Sequence, residues 1–540
     1  MASFLMLAAI VIVFCVFLDK LSDKMGIPTL LAFILLGVVF GSDGIFKIEF
    51  ENYAFAEHIC SVALIFIMFY GGFGTNWKQA RTVALSAGVL STLGVVATAG
   101  LTGLFCHYVL GFEMIHGMLI GSVISSTDAA SVFSILRSKR LNLKYNTASL
   151  LEVESGSNDP TAYMLTIVCL AILRGGADGS DFLLQILRQV GFGLVFGFGI
   201  AYAAGAILKN IRFQAEGFDM VFVTAVALLS YAAPSMLDGN GYLSAYITGI
   251  ILGNTNFKDK KNIFLFFDGM TGLMQMSVFF LLGLLALPSK LPEIATPALY
   301  IALFMTFVAR PLSVFVLLAP LKGGCAAQKL LVSFAGLRGA SAIVFSIIAV
   351  MNSSSGDAIF HVTFFIVLLS ILFQGALLPV VAKKLDMIDN NEDVMKSFSD
   401  YTEEDPVQFI QFEIPENHLW IGKTLREIEL PPTTLVVLLK RRGEKIVPNG
   451  DTVLFAEDVL ILGALTPGEV DGVALSEIYV TPKSLYLNKK ISEISLGDGA
   501  LIILIKRGDK VIIPQGNDEL ILDDILVINQ IAGDVEAVRE

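Results

Sequence analysis

Apolar segments alternate with short polar connections along the first 384 residues of the chain. An α-helix needs about 20 largely apolar residues to cross a bilayer, and somewhat fewer where the helix is broken. Backbone polar groups inside a bilayer must bond to one another, which favours helices over irregular chain. The pattern therefore predicts an all-α polytopic membrane domain with thirteen transmembrane helices, at 3–18, 27–42, 57–74, 82–106, 114–136, 147–173, 182–208, 217–234, 241–255, 262–287, 295–319, 327–350 and 358–382.

Composition and charge separate this membrane domain from a polar tail. Of the 540 residues 55% are hydrophobic and 16% are charged, a balance far from that of soluble domains. Residues 1–384 carry a net charge of +3, whereas residues 385–540 carry −15. We therefore predict a transmembrane domain at 1–384, a linker at 385–407 and two tail modules at 408–472 and 473–540.

The basic residues predict the orientation of the spans. If the chain begins outside, seventeen Lys and Arg residues fall in the connections on the inner side and three in those on the outer side. This asymmetry follows the rule that inner connections are basic. We expect an N-terminus on the outer side, a first segment retained as a span, and an inner tail.

Three polar clusters interrupt the apolar background: "SSTDAAS" (125–131), "ESGSNDP" (154–160) and "GLRGAS" (336–341). Charged groups inside a membrane usually face a cavity, a partner or a transported ion. In the second cluster, helical spacing places Ser155 and Asp159 on one face and Glu154 and Asn158 on the neighbouring face. This arrangement makes Asp159 the leading candidate for an ion ligand.

The first and third clusters lie in spans 5 and 12, which hold the same rank if spans 1–6 are repeated, inverted, as spans 8–13. Interrupted helices at corresponding places in two halves indicate a transport site near the membrane midplane. We expect Asp128 and Arg338 to offset the helix dipoles that meet there.

Each charged residue also has an architectural interpretation. Asp128 could cap a buried helix, Glu154 and Arg338 could form a structural ion pair, and Arg310 precedes Pro311 at an expected kink. Asp159, next to an asparagine and Pro160, has no evident capping duty.

The motifs "SSTDAASV", "ESGSNDP", "ARPLSV" and "GLRGAS", in this order, resemble the monovalent cation:proton antiporter-1 family, in particular its bacterial NhaP-type members. The resemblance covers about 380 residues. It implies a sodium/proton antiporter-type inverted repeat with crossed broken helices. It also implies a homodimer in which a six-helix core moves against a dimerisation domain.

Carried over by position, the resemblance implies that Asp159 binds a monovalent cation and a proton in turn, completed by Thr127, Asp128 and Ser155. Asn158 stands where electrogenic relatives have a second aspartate, as in the electroneutral branch. Glu154 and Arg338 match the buried charge pair of the family. Span 3 ("MFYGGFGTNW", 68–77) lacks a carboxylate that some sodium-transporting relatives carry there, which favours potassium.

The tail contains an internal repeat. Residues 422–462 align with 488–528 at an offset of 66, and each copy predicts helix, strand, basic turn, strand, Pro-x-Gly turn and strand. The pattern resembles the TrkA-C domain, the C-terminal lobe of regulators of potassium conductance, although the second copy could be a transporter-associated module. The basic turns at 440–442 and 506–507 are either solvated or part of a site for a nucleotide or another small ligand.

These observations predict an electroneutral potassium/proton antiporter of the bacterial inner membrane that serves potassium, pH and volume homeostasis. Sodium and ammonium are alternative cations, and a sodium/proton antiporter of the same fold is the main rival. A potassium channel would need a filter such as TVGYG, and the sequence has none. We expect a lipid-embedded homodimer with no cofactor and no nucleic-acid partner.

Overall fold

The computed structural model divides the chain into two compact units, Met1–Thr402 and Glu403–Glu540. Each unit is described by itself. The described residues are 2–25, 28–50, 52–128, 132, 141–175, 179–211, 217–257, 260–321, 325–353, 356–389, 407–416, 418–430, 434–441, 444–446, 448–465, 473–480, 484, 486–487, 489–494, 500–507, 510–512, 514, 516–522 and 524–531.

The described part of the first unit is helical apart from its connections and one short ribbon. Continuous runs of Leu, Ile, Val, Phe and Ala form its helices, and eight of the described helices are long and apolar enough to cross a membrane. The helices are α1 (Ala2–Met25), α2 (Thr29–Phe40), α3 (Tyr53–Gly74), α4 (Ala84–Val89 to Val95–Tyr108), α5 (Met114–Val123), α6 (Thr147–Leu173), α7 (Gly179–Asn210), α8 (Phe218–Ser235), α9 (Gly241–Gly253), α10 (Lys260–Leu285), α11 (Leu291–Phe304 to Arg310–Leu318), α12 (Ala326–Phe334), α13 (Ala340–Asn352) and α14 (Gly356–Leu369 to Ala376–Lys384), with single turns at Trp77–Ala80 and Pro288–Lys290.

The expected interruptions of spans 5 and 12 are present. Helix α5 ends at Val123, and the chain is non-helical at 125–128, where the first polar cluster begins. Helix α12 ends at Phe334 and α13 begins at Ala340, so the third cluster lies in this gap. The rest of the first cluster, residues 129–131, lies outside the described residues. By contrast, Pro160 does not interrupt α6.

Three long helices each contain a π-helical turn: Leu90–Gly94 in α4, Met305–Ala309 in α11 and Ser370–Gly375 in α14. Two of these helices, α4 and α11, contact each other just after their π turns. There, Thr98 Oγ1 lies 3.3 Å from Ser313 Oγ. Each hydroxyl also bonds the carbonyl that ends its own π turn, at 2.7 and 2.8 Å. Such turns are frequent at functional sites.

The helices pack as two groups. The first helix group contains α1, α2, α3, α7, α8, α9 and α10, and the second contains α4, α5, α6, α11, α12, α13 and α14. Glycines allow backbones to touch within the first group: Gly249 of α9 lies against the Phe69 carbonyl of α3, and Gly283 of α10 against the Ile34 carbonyl of α2. A Cβ at either glycine would lie within 2.3 Å of that oxygen. These contacts hold the group together by close packing.

A two-stranded ribbon connects the end of the helical unit to the start of α6. Strand β1 (Asn142–Leu143) pairs antiparallel with β2 (Ile388–Asp389), which lies inside the predicted linker. Lys144 donates its N–H to the Met387 carbonyl at 2.9 Å, and its ammonium lies 3.0 Å from Asp386.

The tail forms two sheets with the same strand order. The first sheet is β3-β6-β4-β5 and the second is β7-β10-β8-β9. Their strands are β3 (Val407–Glu413), β4 (Thr434–Arg441), β5 (Glu444–Ile446), β6 (Val459–Leu465), β7 (Val473–Tyr479), β8 (Ala500–Arg507), β9 (Lys510–Ile512) and β10 (Ile525–Ile531). The structural repeat matches the sequence repeat, with a leading strand in each copy that the sequence pattern did not indicate.

The two cores also occupy equivalent positions. Every buried residue of the second core has a counterpart exactly 66 positions earlier in the first, so side-chain packing repeats along with strand order. The pairs are Ile414 and Val480, Val436 and Ile502, Leu439 and Ile505, Leu454 and Leu520, and Leu460 and Leu526.

The helix predicted before the second strand of each copy is wrong. The first copy has a turn in which the Glu427 carboxylate accepts from the Thr424 N–H at 2.8 Å, and the described residues of the second copy form the 3-10 turn Ile491–Glu493 there. The Glu493 carboxylate likewise accepts from the Lys490 N–H, at 3.3 Å. Each contact is the return bond of a capping box, but the described residues after it do not continue as an α-helix.

An arginine–aspartate pair lies at the end of β4 and of β8. Arg441 donates to both oxygens of Asp458, at 2.7 and 2.6 Å, and Arg507 donates to both oxygens of Asp524, at 2.8 Å each. Both aspartates are buried. The interpretation of Arg441 and Arg507 as simply solvated turn residues is therefore wrong. Each of these arginines neutralises a buried carboxylate in its own module.

These pairs lower the pKa of both aspartates. Burial alone would raise the pKa of Asp458, but the Arg441 hydrogen bonds, the Phe455 N–H and the Arg441 charge together bring it below 3.8. The pKa of Asp524 is lowered in the same way by Arg507 and the Ile521 N–H.

We predict that Arg441→Ala destabilises the first tail sheet by about 2 kcal/mol, because it leaves a buried carboxylate without its counter-charge. Amide hydrogen exchange of β4 and β6 in the full-length protein measures this loss. Arg426→Ala is the matched control, since Arg426 and Asp451 are 74% and 77% exposed and such pairs contribute less than about 1 kcal/mol.

The stabilisation of the first tail sheet by Arg441 and Asp458 should depend on pH. Because the folded pKa of Asp458 is lowered, the pair stabilises the sheet above about pH 4 and ceases to do so as the pH falls through that lowered pKa. Equal rates of amide hydrogen exchange in Arg441→Ala and wild type at pH 7 would contradict a stabilising role for this ion pair.

Candidate ion-binding site

The Asp159 carboxylate lies where the two helix interruptions meet. It is only 5% exposed and accepts a hydrogen bond from the Ser126 hydroxyl of the first interruption. Ser126 Oγ also lies 2.7 Å from Ser341 Oγ, in the first turn of α13. The carboxylate therefore faces neutral hydroxyl groups from both broken segments.

Asn158 and Ser155 hold the neighbouring chain in place. The Asn158 amide donates to Thr127 Oγ1 at 2.6 Å, and the Ser155 hydroxyl donates to the Thr127 carbonyl at 2.6 Å. Ser126 Oγ lies 3.3 Å from Asn158 Oδ1. Helix α6 thus binds the interrupted segment beside Asp159, and four of the expected site residues, Asp159, Asn158, Ser155 and Thr127, lie together.

Ser126 and Ser341 were missed as individual site residues, although both lie in the polar clusters. Oxygen atoms at unwound helix ends coordinate transported cations in transporters with broken helices. The available signal was a serine at each predicted interruption.

Asp128 lies at the N-terminus of α13. A Cβ built at Gly339, the residue before this helix, would be 2.2 Å from Asp128 Oδ2, so only glycine fits beside the carboxylate. The Asp128 N–H donates to the Leu337 carbonyl at 2.8 Å. A carboxylate in this position is stabilised by the positive end of the helix dipole.

The Arg338 side chain lies at the C-terminal end of a helix, where the helix dipole is negative. Its Nη1 donates to the carbonyls of Ser125 and Ser126, both at 2.7 Å, just beyond the C-terminus of α5. Its N–H donates to Ser370 Oγ at 3.1 Å, at the start of the π turn in α14. The expectation that Asp128 and Arg338 offset the two dipoles is confirmed by these contacts.

The predicted pairing of Glu154 with Arg338 is wrong. Glu154 forms its salt bridge with Arg310 of α11, and both side chains are at most 2% exposed. A Cβ at Gly336 would lie 3.2 Å from Arg310 Nε and 3.5 Å from the Thr127 methyl group, so Arg310 reaches the same region from another helix. Arg310 lies on α11 and Arg338 in the gap before α13, and only their packing decides which arginine pairs with Glu154.

We predict that Arg310→Gln destabilises the protein by about 3–5 kcal/mol, because it leaves the Glu154 charge buried and uncompensated. Adding Glu154→Gln should recover about 1–3 kcal/mol, since the double variant has no unpaired charge. Unfolding in mixed detergent micelles measures both values.

The control cycle combines Glu154→Gln with Arg338→Gln. Arg338 donates to backbone carbonyls, so this cycle should show much weaker coupling. Coupling to Arg338 as strong as that to Arg310 would disprove the assigned pair.

Two family models match the chain. The family model described as "Sodium/hydrogen exchanger, transmembrane" matches residues 8–384, and that of the TrkA-C domain matches residues 409–464 and 475–540. The second tail copy therefore matches the same domain as the first.

Relatives of similar length include the K(+)/H(+) antiporter NhaP2 of Shewanella sp. (strain MR-4). It is 34% identical over 469 residues, which cover 85% of this chain and 81% of the relative. The K(+)/H(+) antiporter NhaP of Alkalimonas amylolytica is 33% identical over 448 residues, 82% of this chain and 78% of that one.

A solved structure shares the helical fold. The sodium proton antiporter MjNhaP1 of Methanocaldococcus jannaschii at pH 8 superposes with a TM-score of 0.61 at 25% identity, over 69% of this chain and 99% of that chain. The chain therefore belongs to the sodium/hydrogen exchanger family of multi-pass membrane proteins, with two TrkA-C domains in its tail.

Proposed function

We propose that this protein exchanges potassium for protons, one for one, across the bacterial inner membrane, and that its tail regulates the exchange. The observation that carries the proposal is the Asp159 carboxylate, held by hydroxyl groups at the meeting point of two interrupted helices. Such a meeting point near the membrane midplane is where transporters of this architecture bind their ions.

The fixed charges around Asp159 balance one another. Glu154 is paired with Arg310, while Asp128 and Arg338 lie at helix ends of opposite sign. Asp159 carries the charge at the meeting point itself, and either a cation or a proton can neutralise it. Both loaded forms are then neutral, so both avoid the large cost of moving a net charge through an apolar region.

Competition at Asp159 gives the exchange mechanism. The ionised carboxylate binds a monovalent cation together with oxygens of Ser126, Ser341 and Thr127, and the protonated carboxylate returns without a cation. The Asn158 amide beside it does not titrate and bonds to Thr127. One carboxylate with two exclusive occupants yields electroneutral exchange.

Potassium is our preferred cation, with sodium and ammonium as alternatives. Two similar relatives are named potassium/proton antiporters, and span 3 lacks a carboxylate in "MFYGGFGTNW". The structural relative is a sodium proton antiporter, which keeps sodium/proton exchange as the rival function.

We also propose thirteen spans arranged as an inverted repeat. Interruptions at spans 5 and 12 and π turns at spans 4 and 11 hold matching ranks, and the Thr98–Ser313 contact joins equivalent positions of the last pair. We place the N-terminus in the periplasm and the tail in the cytoplasm, in a homodimer.

The segment that leads towards the tail pairs with the chain just before α6. The ribbon pairs β2, at 388–389, with β1, and α6 begins four residues after β1 at Thr147. Asp159 lies on that helix, so a change in the segment leading to the tail has a short physical route to the site. We propose the division 1–384, 385–407, 408–472 and 473–540, with the tail a candidate for binding a nucleotide or another small ligand.

We predict that potassium chloride dissipates a pH gradient in everted vesicles that contain the wild-type protein, whereas Asp159→Asn, which keeps shape but cannot ionise, gives no response. A pH-sensitive dye measures the gradient. Sodium and lithium chloride added in parallel rank the cations, and a larger response to sodium would favour the rival function.

Two controls sharpen this test. The amount and melting behaviour of Asp159→Asn should match wild type, which separates lost exchange from lost folding. Clamping the membrane potential should leave the potassium response unchanged, because one-for-one exchange moves no net charge. Near-normal exchange by folded Asp159→Asn would remove Asp159 from the site.

We predict that deletion of residues 403–540, which keeps the ribbon, leaves exchange active but changes its pH dependence or cation ranking. The matched variant Lys144→Ala in the full chain removes the contact with Asp386 and tests the ribbon alone. Complete loss of exchange in correctly inserted deletion protein would contradict a regulatory tail.

A further inference from the structure

A buried hydrogen bond joins the two helix groups beside Asp159. The Asn240 amide donates to the carbonyl of Pro160 at 2.8 Å, and Asn240 is only 2% exposed. Pro160 directly follows Asp159 in α6, which belongs to the second helix group, whereas Asn240 precedes α9 of the first. The bond thus ties the turn that carries the carboxylate to the other group.

A second contact between the same helices lies one turn away. A Cβ at Gly156 would be 3.1 Å from the Tyr246 hydroxyl, so α9 passes closely over α6 at this position. Pro160 has no N–H to offer the Gly156 carbonyl, which weakens the helical bonding of this turn. Asn240 and Tyr246 therefore bracket the part of α6 that depends most on outside contacts.

Helix capping does not account for the Asn240 amide. Its Oδ1 accepts from the Leu243 N–H at 3.0 Å, which is the N-cap bond of α9. Serine, threonine or aspartate would serve that purpose equally well. Asn52 caps α3 in the same way, accepting from the Phe55 N–H at 2.9 Å, but it is exposed. The donor to Pro160 is an additional function of Asn240.

A further hydrogen bond between the groups is long and lies at the surface. Tyr53 Oη lies 3.5 Å from Asp357 Oδ1, an exposed contact. Close glycine packing holds the first group together internally, whereas the Asn240 bond crosses between groups at the level of the site.

We propose that Asn240 is a positioning residue that holds the Asp159 turn against α9 in the conformation described here. This inference rests on the proposed exchange function. Alternating access is largely a rigid-body movement of one helix bundle against another around the site, so the bond between Asn240 and Pro160 must break when the groups move. It therefore stabilises one orientation of the carrier over the other.

The test uses Asn240→Ser, which keeps an N-cap oxygen but removes the amide donor. Weakening one orientation reduces the fraction of carriers open to one side and increases the fraction open to the other. The apparent KM for potassium, measured in everted and in right-side-out vesicles, should change in opposite directions by about two- to tenfold, the range expected for one hydrogen bond. A role limited to folding would not produce opposite changes.

Asn52→Ser is the matched control, because it makes the same replacement at a cap without a second bond. It should leave both KM values at wild-type levels. Asn240→Thr, which also keeps a capping hydroxyl, provides a second variant if Asn240→Ser accumulates poorly, and it should give the same opposite changes.

The outcomes are distinguishable from those for the proposed function. If Asp159→Asn abolishes exchange while the Asn240 variants match Asn52→Ser, or shift both KM values in the same direction, the positioning role is overturned and the exchange function stands. If folded Asp159→Asn retains exchange, the site assignment fails first, whatever the Asn240 variants do.

Discussion

A carboxylate inside an apolar helix bundle has to be neutralised, and the arrangement of the second helix group follows from that constraint. Burying an unpaired charge costs several kcal/mol or more. The two interrupted segments supply helix ends of opposite sign, and Asp128 and Arg338 occupy them. The charges of Glu154 and Arg310 neutralise each other, and both side chains are at most 2% exposed. In the proposed exchange, Asp159 then changes its partner without upsetting the balance around it.

The proposed exchange requires a bundle that is rigid within its groups and able to move between them. Glycine contacts bring α3 and α9, and α2 and α10, into backbone contact, which leaves little room for sliding. Contacts between the groups include aromatic packing, such as Tyr163 against Tyr242 at 5.0 Å between ring centroids, and the bond from Asn240 to Pro160. Aromatic faces can slide, whereas a hydrogen bond favours one position. This difference makes a small number of polar contacts decisive for the preferred orientation.

The tail solves a related problem by repetition. Each four-stranded sheet is too small to bury much apolar surface, and each places one buried aspartate under an arginine 17 positions earlier. The arginine–aspartate pair holds the end of β4 against the start of β6 in the first module, and the end of β8 against the start of β10 in the second. Duplication of this unit gives two domains of the same kind, each with its own core.

The sequence alone determined the apolar segments, the interruption of spans 5 and 12, the polar cluster that contains Asp159 and the duplication of the tail. Those features are local: periodicity, helix-breaking runs and repeated motifs act over a few residues or recur at a constant offset. The partner of Glu154, the hydroxyls of Ser126 and Ser341 around Asp159, and the bond from Asn240 to Pro160 were decided by the tertiary structure. Each depends on which face of one segment meets another across 33 to 215 positions of chain. A charge pattern read along one span cannot make that choice, because several helices carry groups of the right chemistry and only packing brings one of them within bonding distance.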